Sequence, residues 1–170
     1  MPLTQKVLRA FIASPSDVAD ERAILDEVVA ELNRTWSQTL GVRLEVLKWE
    51  THSFPDAGLD VQGIVSSQIG ENYDIFIGIM WTRFGTPTQN FASGTEEEFR
   101  RAMDRYRANP TSVHIMFYFK NAPVSPDSID VDQLARVHAF RNSLGQEGTY
   151  HWTFRAAQDL EGFLRIAEYG

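Results

Sequence analysis

Apolar positions along this chain alternate between two periods. Residues 7–14 carry Val7, Leu8, Phe11 and Ile12 with only Arg9 charged, the pattern of a strand covered on both faces. Ser14-Pro15-Ser16-Asp17 interrupts it, because Pro15 cannot continue a central ladder while Ser16 or Asp17 can cap a helix. That helix is predicted over about residues 18–36, where Ile24, Leu25, Val28, Val29, Leu32 and Trp36 recur at helical spacing. Asp17, Asp20 and Glu21 suit its electropositive start. Residues 42–49 set Val42, Leu44 and Val46 against Arg43 and Glu45 until Leu47 breaks the alternation, which fits a strand near a sheet edge.

Residues 50–58 read as a loop, and Val61, Ile64, Val65 and Ile69 as one face of a short helix over residues 61–69. Residues 73–81 are the most apolar stretch and predict a central strand buried on both faces. A long loop over residues 82–92 follows, with Arg83, Phe84, Gly85, Pro87 and Asn90; long loops at strand ends often carry function. The next helix, which runs to Asn109-Pro110, presents Phe99, Ala102, Met103 and Tyr106 as a single stripe. A strand over residues 113–119, an exit loop over 120–127, a helix over 130–144, a short strand over 149–154 and a helix over 156–168 complete the chain. Strand and helix thus alternate about five times, without internal repeat or low-complexity tract. Such alternation implies an α/β three-layer fold, a flavodoxin-like five-stranded parallel sheet of order 2-1-3-4-5. Ligands of that fold bind outside the carboxyl ends of the strands, near the switch point between the first and third. Residues 14–17, the loop over 81–92 and the start of the helix after Ser93 are expected to share this rim, with Glu50 and His52 at its border.

The totals set bounds. At 170 residues and 43% hydrophobic content the chain is expected to form one domain with a full core. With no cysteine there is no disulfide, thiolate zinc site or cysteine nucleophile. No apolar stretch reaches the roughly 18 to 20 residues of a membrane span, so the expectation is a soluble, unexported, cytoplasmic domain. The net charge of −7, with 16 basic residues scattered among 23 acids, argues against a nucleic-acid partner. Arg100, Arg101, Arg105 and Arg107 form one local concentration and read as the solvated face of their helix.

Candidate chemistry gathers at Ser93-Gly94-Thr95-Glu96-Glu97-Glu98-Phe99. Glu98 stands on the edge of the buried stripe, whereas Glu96 and Glu97 are expected to point more toward water. A carboxylate between a sheet and a cleft can serve catalysis or hold a ribose, but Ser93-x-x-Glu96 and Thr95-x-x-Glu98 both also fit a helix-capping box. Trp81, Arg83 and Phe84 can stack on a base or bind a phosphate, or equally pack the loop over the sheet. Ser14 and Ser16 have no histidine placed to activate them, which favours turn and capping roles. The four histidines show no metal-ligand spacing, and neither a P-loop nor a Gly-x-Gly-x-x-Gly fingerprint is present.

Several segments in order resemble a known family. Val7-Leu8-Arg9-Ala10-Phe11-Ile12-Ala13-Ser14-Pro15-Ser16-Asp17-Val18, Asp20-Glu21-Arg22, Tyr73 through Trp81, Arg83-Phe84-Gly85-Thr86-Pro87-Thr88 and Ser93 through Phe99 are similar to Toll/interleukin-1 receptor (TIR)-like domains found at the N-termini of STAND-type NTPase and repeat proteins. Ser93-Gly94-Thr95-x-x-Glu98-x-x-x-Ala102 is also similar to the nucleophile helix of nucleoside 2-deoxyribosyltransferases. Both resemblances select Glu98 as the catalytic carboxylate, although Thr95 stands where the TIR motif usually has tryptophan.

The resemblance implies an NAD⁺ glycohydrolase that takes NAD⁺ as substrate and needs neither metal nor cofactor. Ser14, Pro15, Ser16, Asp17, Trp81, Arg83, Phe84 and Ser93 are the substrate-binding candidates it marks out. It further implies self-association, an immune or antiphage role, and fused C-terminal NTPase or repeat domains, the present chain being the N-terminal part of a longer protein. A non-catalytic assembly module and a deoxyribosyltransferase-like enzyme are the alternatives.

Overall fold

Five strands, β1 (Lys6–Ala13), β2 (Val42–Leu47), β3 (Ile75–Met80), β4 (His114–Lys120) and β5 (Trp152–Phe154), lie in the order β2-β1-β3-β4-β5 with every neighbouring pair parallel. The computed structural model describes residues 4–47, 72–85, 93–146, 151–155 and 159, without the side chains of Ser16 and Trp152. The described helices are α1 (Ala19–Thr39), α2 (Gly94–Ala108) and α3 (Val131–Gln146). A short 3₁₀ turn at Ser16–Val18 leads into α1. This is the flavodoxin-like order expected from the strand and helix alternation. The loop over 50–58, the short helix over 61–69 and the last helix over 156–168 lie outside the described residues.

Period-two geometry sends adjacent positions of each strand into opposite layers. Ala10, Ile12, Ile77, Ile79, Tyr118 and Phe154 pack in one layer with Val18 and with Leu25 of α1. Phe11, Ala13, Phe76, Met80, Phe117 and Phe119 face the other, against Phe99, Ala102 and Met103 of α2 and Val137, Phe140 and Leu144 of α3. Rings interlock there edge to face: Phe99 meets Phe117 with centroids 5.5 Å apart and Phe140 with centroids 5.4 Å apart. β3 occupies the middle of the sheet, and Phe76, Ile79 and Met80 retain no exposed surface. β2 is the edge strand its broken alternation implied.

The apolar stripe of α2 stops a turn early, since Tyr106 is exposed. Arg105 takes over there. Its guanidinium donates to the carbonyls of Tyr73 (2.9 Å) and Ser112 (3.0 Å) and lies 4.6 Å from the centre of the Tyr73 ring. The amino ends of β3 and β4 present carbonyls that need donors more than they need apolar cover. Arg105 is therefore a clamp on the sheet, and the solvated-face reading does not hold for it.

Gly78 of β3 lies under a ring of the neighbouring β4: a Cβ there would run into the Phe117 ring, which is held between Phe99, Phe119 and Phe140. Gly78→Ala is expected to lower stability by about 2 kcal/mol through overpacking, measured as a drop in urea midpoint with unchanged slope.

Candidate functional site

The start of α1 ties three strand ends together. Asp17 does not cap the helix; neither Pro15 nor Val18, the N-cap positions of the turn and of α1, supplies a side-chain cap. Instead, Asp17 Oδ2 accepts from the Thr82 backbone N–H (3.0 Å), the Thr82 hydroxyl (2.8 Å) and the Arg83 N–H (3.2 Å), so it is spent on the exit of β3. One turn on, Glu21 is 1% exposed and pairs with Lys120 at the end of β4, Oε1 to Nζ 2.6 Å. Lys120 Nζ also lies 4.2 Å from the centre of the Trp81 ring, a cation–π contact. Arg22 reaches back to the exit of β1, its Nε donating to the Ser14 hydroxyl and a terminal nitrogen to the Ser14 carbonyl (2.7 Å). Burial lowers the pKa of this guanidinium below its ordinary value.

The exit of β3 spends four consecutive backbone N–H groups on two side-chain oxygens. Thr82 and Arg83 serve Asp17, while Phe84 (2.8 Å) and Gly85 (2.9 Å) both donate to Gln133 Oε1 of α3. Gly85 has φ of 117°, and a Cβ on it would stand 3.2 Å from Ser93 Cβ and 3.9 Å from Pro15 Cγ. The ends of β1 and β3 and the beginning of α2 are thus in contact, at the switch point between β1 and β3. Among the side chains, Arg83 is exposed, Trp81 half-buried, and Phe84 packs inward on Phe140 with centroids 5.7 Å apart.

Ser93 opens α2 as its cap: its hydroxyl accepts from the Glu96 N–H (3.0 Å) and its carbonyl from the Glu97 N–H (3.0 Å). Of the two box spacings, the Ser93 one carries the cap, and Thr95 is buried inside the first turn. Glu98 is 4% exposed, on the helix that covers the Phe11 and Phe76 layer. Glu97 departs from the expected water-facing position; it is 2% exposed and pairs with Arg101, four residues on (3.2 Å). Glu96 is partly buried, and that burial raises its carboxyl pKa while Arg100 pulls the other way.

The candidate residues consequently divide. Pro15 and Ser93 meet through Gly85, but the Ser14 hydroxyl is turned to Arg22 in the α1 layer while Glu98 belongs to α2 in the other. The Ser16 side chain, Glu50 and His52 lie outside the described residues. Among the described residues no group of three or more His, Cys, Asp and Glu side chains converges as for a metal ion, and no helix is long and apolar enough to cross a membrane. Sequence reasoning missed the roles of Glu21, Lys120 and Gln133. Glu21 had a signal, because it falls in phase with Leu25, Val28 and Leu32 on the buried stripe of α1; Gln133 had none.

Removing one member of the buried pair leaves the other charge stranded, so Lys120→Met is expected to cost about 3 to 5 kcal/mol, and Glu21→Met combined with it should recover most of the loss in a double-mutant cycle. Glu96 gives a pH signature. Its raised folded pKa means that the folded state holds the proton more tightly than the unfolded chain. The resulting penalty is absent below the ordinary carboxylate range and grows as pH rises from there through the folded pKa. Glu96→Gln removes it, so melts of variant and parent at pH 4 and pH 7 should show the variant gaining relative stability at the higher pH.

No curated protein matches the sequence. A family profile does: residues 9–167 match a domain of unknown function, DUF4062. With the strand order, the β1/β3 rim and the α2 motif all in place over that span, the chain belongs to the DUF4062 family, TIR-like domains found at the N-termini of STAND-type NTPase and repeat proteins.

Proposed function

We propose that this TIR-like domain is an NAD⁺ glycohydrolase in which Glu98 is the catalytic carboxylate. The observation that carries the reading is the burial of Glu98, 4% exposed, five residues after the Ser93 cap that stands beside Gly85 at the exit of β3. Keeping a carboxylate out of water is costly, and such groups concentrate where their charge is used. Cleavage of the N-glycosidic bond releases neutral nicotinamide with the bonding electron pair and leaves positive charge on the ribose. A carboxylate held close to that carbon stabilises the charge, or bonds to it, until water adds its oxygen and gives up a proton. Because the nicotinamide ring is already cationic in NAD⁺, its departure needs no general acid and no metal.

In this reading Pro15, Trp81 and Arg83 border the rim where the rest of a dinucleotide would rest, with Asp17 and the buried Ser93 and Ser14 holding the backbone beneath it. In the same reading the domain works in the cytoplasm as an effector of bacterial immune or antiphage signalling. Self-association, driven by fused NTPase or repeat domains, switches it on. Thr95 takes the tryptophan's place in the motif without opening the helix start, since it is itself buried there.

Glu98→Gln removes the charge with little change of shape. The variant should fold with a stability within about 1 to 2 kcal/mol of the parent, and nicotinamide release, followed by chromatography with the protein concentrated or clustered, should fall by about a hundredfold or more. Glu96→Gln removes the same charge two residues away and should retain most of the activity. A parent that leaves NAD⁺ intact even when clustered would sink the enzymatic reading in favour of an assembly module. Turnover of free deoxynucleosides in the same assay would instead favour a deoxyribosyltransferase.

A further inference from the structure

The Phe84 and Gly85 amides form a paired donor site whose present occupant is a neutral side chain. Both N–H groups converge on Gln133 Oε1, at 2.8 and 2.9 Å, and the Gln133 Nε2 makes no hydrogen bond among the described residues. Among the described residues that carboxamide is thus held by its oxygen alone. Immediately before it in the chain, the Thr82 and Arg83 amides, together with the Thr82 hydroxyl, hold an anionic oxygen, that of Asp17. This loop can therefore aim two successive amides at one carboxylate oxygen, and a hydrogen bond to an ionised oxygen is roughly twice as strong as one to a neutral acceptor.

Gly85 is what makes the second pair possible. Its φ of 117° belongs to a region that side-chain-bearing residues avoid, and successive amides turned the same way through such a residue make an anion-binding concavity. Gly85 also stands beside Ser93, the cap of α2, which brings the start of that helix close to the amide pair, and the exposed Arg83 is next in sequence to Phe84. Asp17 and Glu96 oppose an anion here, whereas Glu97 is paired with Arg101. A bare anion is consequently expected to bind weakly, with affinity supplemented by the rest of a larger ligand.

We infer that the Phe84 and Gly85 amides are the subsite for a phosphoryl oxygen of the substrate's diphosphate, and that Gln133 fills this subsite until the ligand displaces it. The assignment to a diphosphate rests on the rim being a dinucleotide site; the anion affinity of the amide pair does not.

The test reads the two amides directly, by ¹H–¹⁵N correlation spectra of the full 170-residue chain titrated at constant ionic strength with inorganic diphosphate and with ADP-ribose. In the parent, both ligands should shift the Phe84 and Gly85 amides together with the Gln133 side-chain amide. Gln133→Ala, which empties the pair, should bind inorganic diphosphate about tenfold more tightly, and Gln133→Glu, which places a fixed carboxylate there, should abolish the response. Spectral dispersion reports folding of each variant, and the parent titration decides the matter alone if Gln133→Ala does not fold. Amides of Phe84 and Gly85 that stay still under both ligands overturn the proposal, as do shifts confined to other parts of the molecule. A response to inorganic diphosphate without one to ADP-ribose overturns the assignment to the substrate. Because no step of this experiment requires turnover, a domain that does not cleave NAD⁺ yet shows both responses keeps the subsite, and one that cleaves NAD⁺ without them loses it.

Discussion

Parallel sheets end in a row of backbone groups that no further strand will satisfy, and the carboxyl edge of this one is closed by the 3₁₀ turn at Ser16–Val18 and the first turn of α1. Asp17, Glu21 and Arg22 stand at i, i+4 and i+5, a spacing that splays three charged side chains from one end of a helix toward β3, β4 and β1 in turn. Each contact satisfies something the sheet leaves open: the Thr82 and Arg83 amides, the Lys120 ammonium, the Ser14 carbonyl. Asp17 forgoes the capping role its position invites, because a carboxylate that accepts three hydrogen bonds across the sheet gains more than one serving its own helix. The positions of Trp81 and Arg83 follow from this closure.

The closure also explains a buried ion pair that a purely stabilising design would not choose. Glu21 and Lys120 are removed from water, and two apolar side chains of similar volume would often serve stability as well or better. What the pair provides is direction. Lys120 is the last residue of β4 and, held by Glu21, lies over the Trp81 ring just past the end of β3, so the ends of two neighbouring strands are fixed relative to each other. Apolar contacts, being non-directional, would let these two strand ends slide past one another.

The architecture was legible because two periods say nearly everything about it. Ile75 to Met80 could be read as a central strand from its unbroken apolar run, and the 2-1-3-4-5 order from the alternation of elements. Burial of carboxylates was less legible. Glu98 was found because its place beside the Phe99 and Ala102 stripe is visible, whereas Glu97 was misread, since it lies off that stripe and its pairing with Arg101 does not show in the apolar period. Tyr106 was misread for the converse reason: helical phase alone does not reveal where the sheet beneath a helix ends. Gln133 could not be found at all, for its partners are backbone amides 49 and 48 residues away, and backbone donors leave no trace in a sequence.

Among the described residues the sheet separates the two layers, and this limits how the rim can work. Ser14 is tied into the α1 layer by Arg22, and Glu98 belongs to the α2 layer. The Pro15, Gly85 and Ser93 contact joins the two across the end of the sheet. A change of the Gly85 backbone would therefore be felt in the layer of α2 and α3, because its amide is held by α3 and a Cβ on it would stand 3.2 Å from Ser93 Cβ, the cap of α2. By contrast, the Thr82 and Arg83 amides, fixed to Asp17, have an ionic partner that is hard to displace. The exit of β3 accordingly has a firm half and an exchangeable half, divided between Arg83 and Phe84. Movement admitted at the second half would reach α2 and α3, the helices that cover the Glu98 side, while leaving the α1 closure intact.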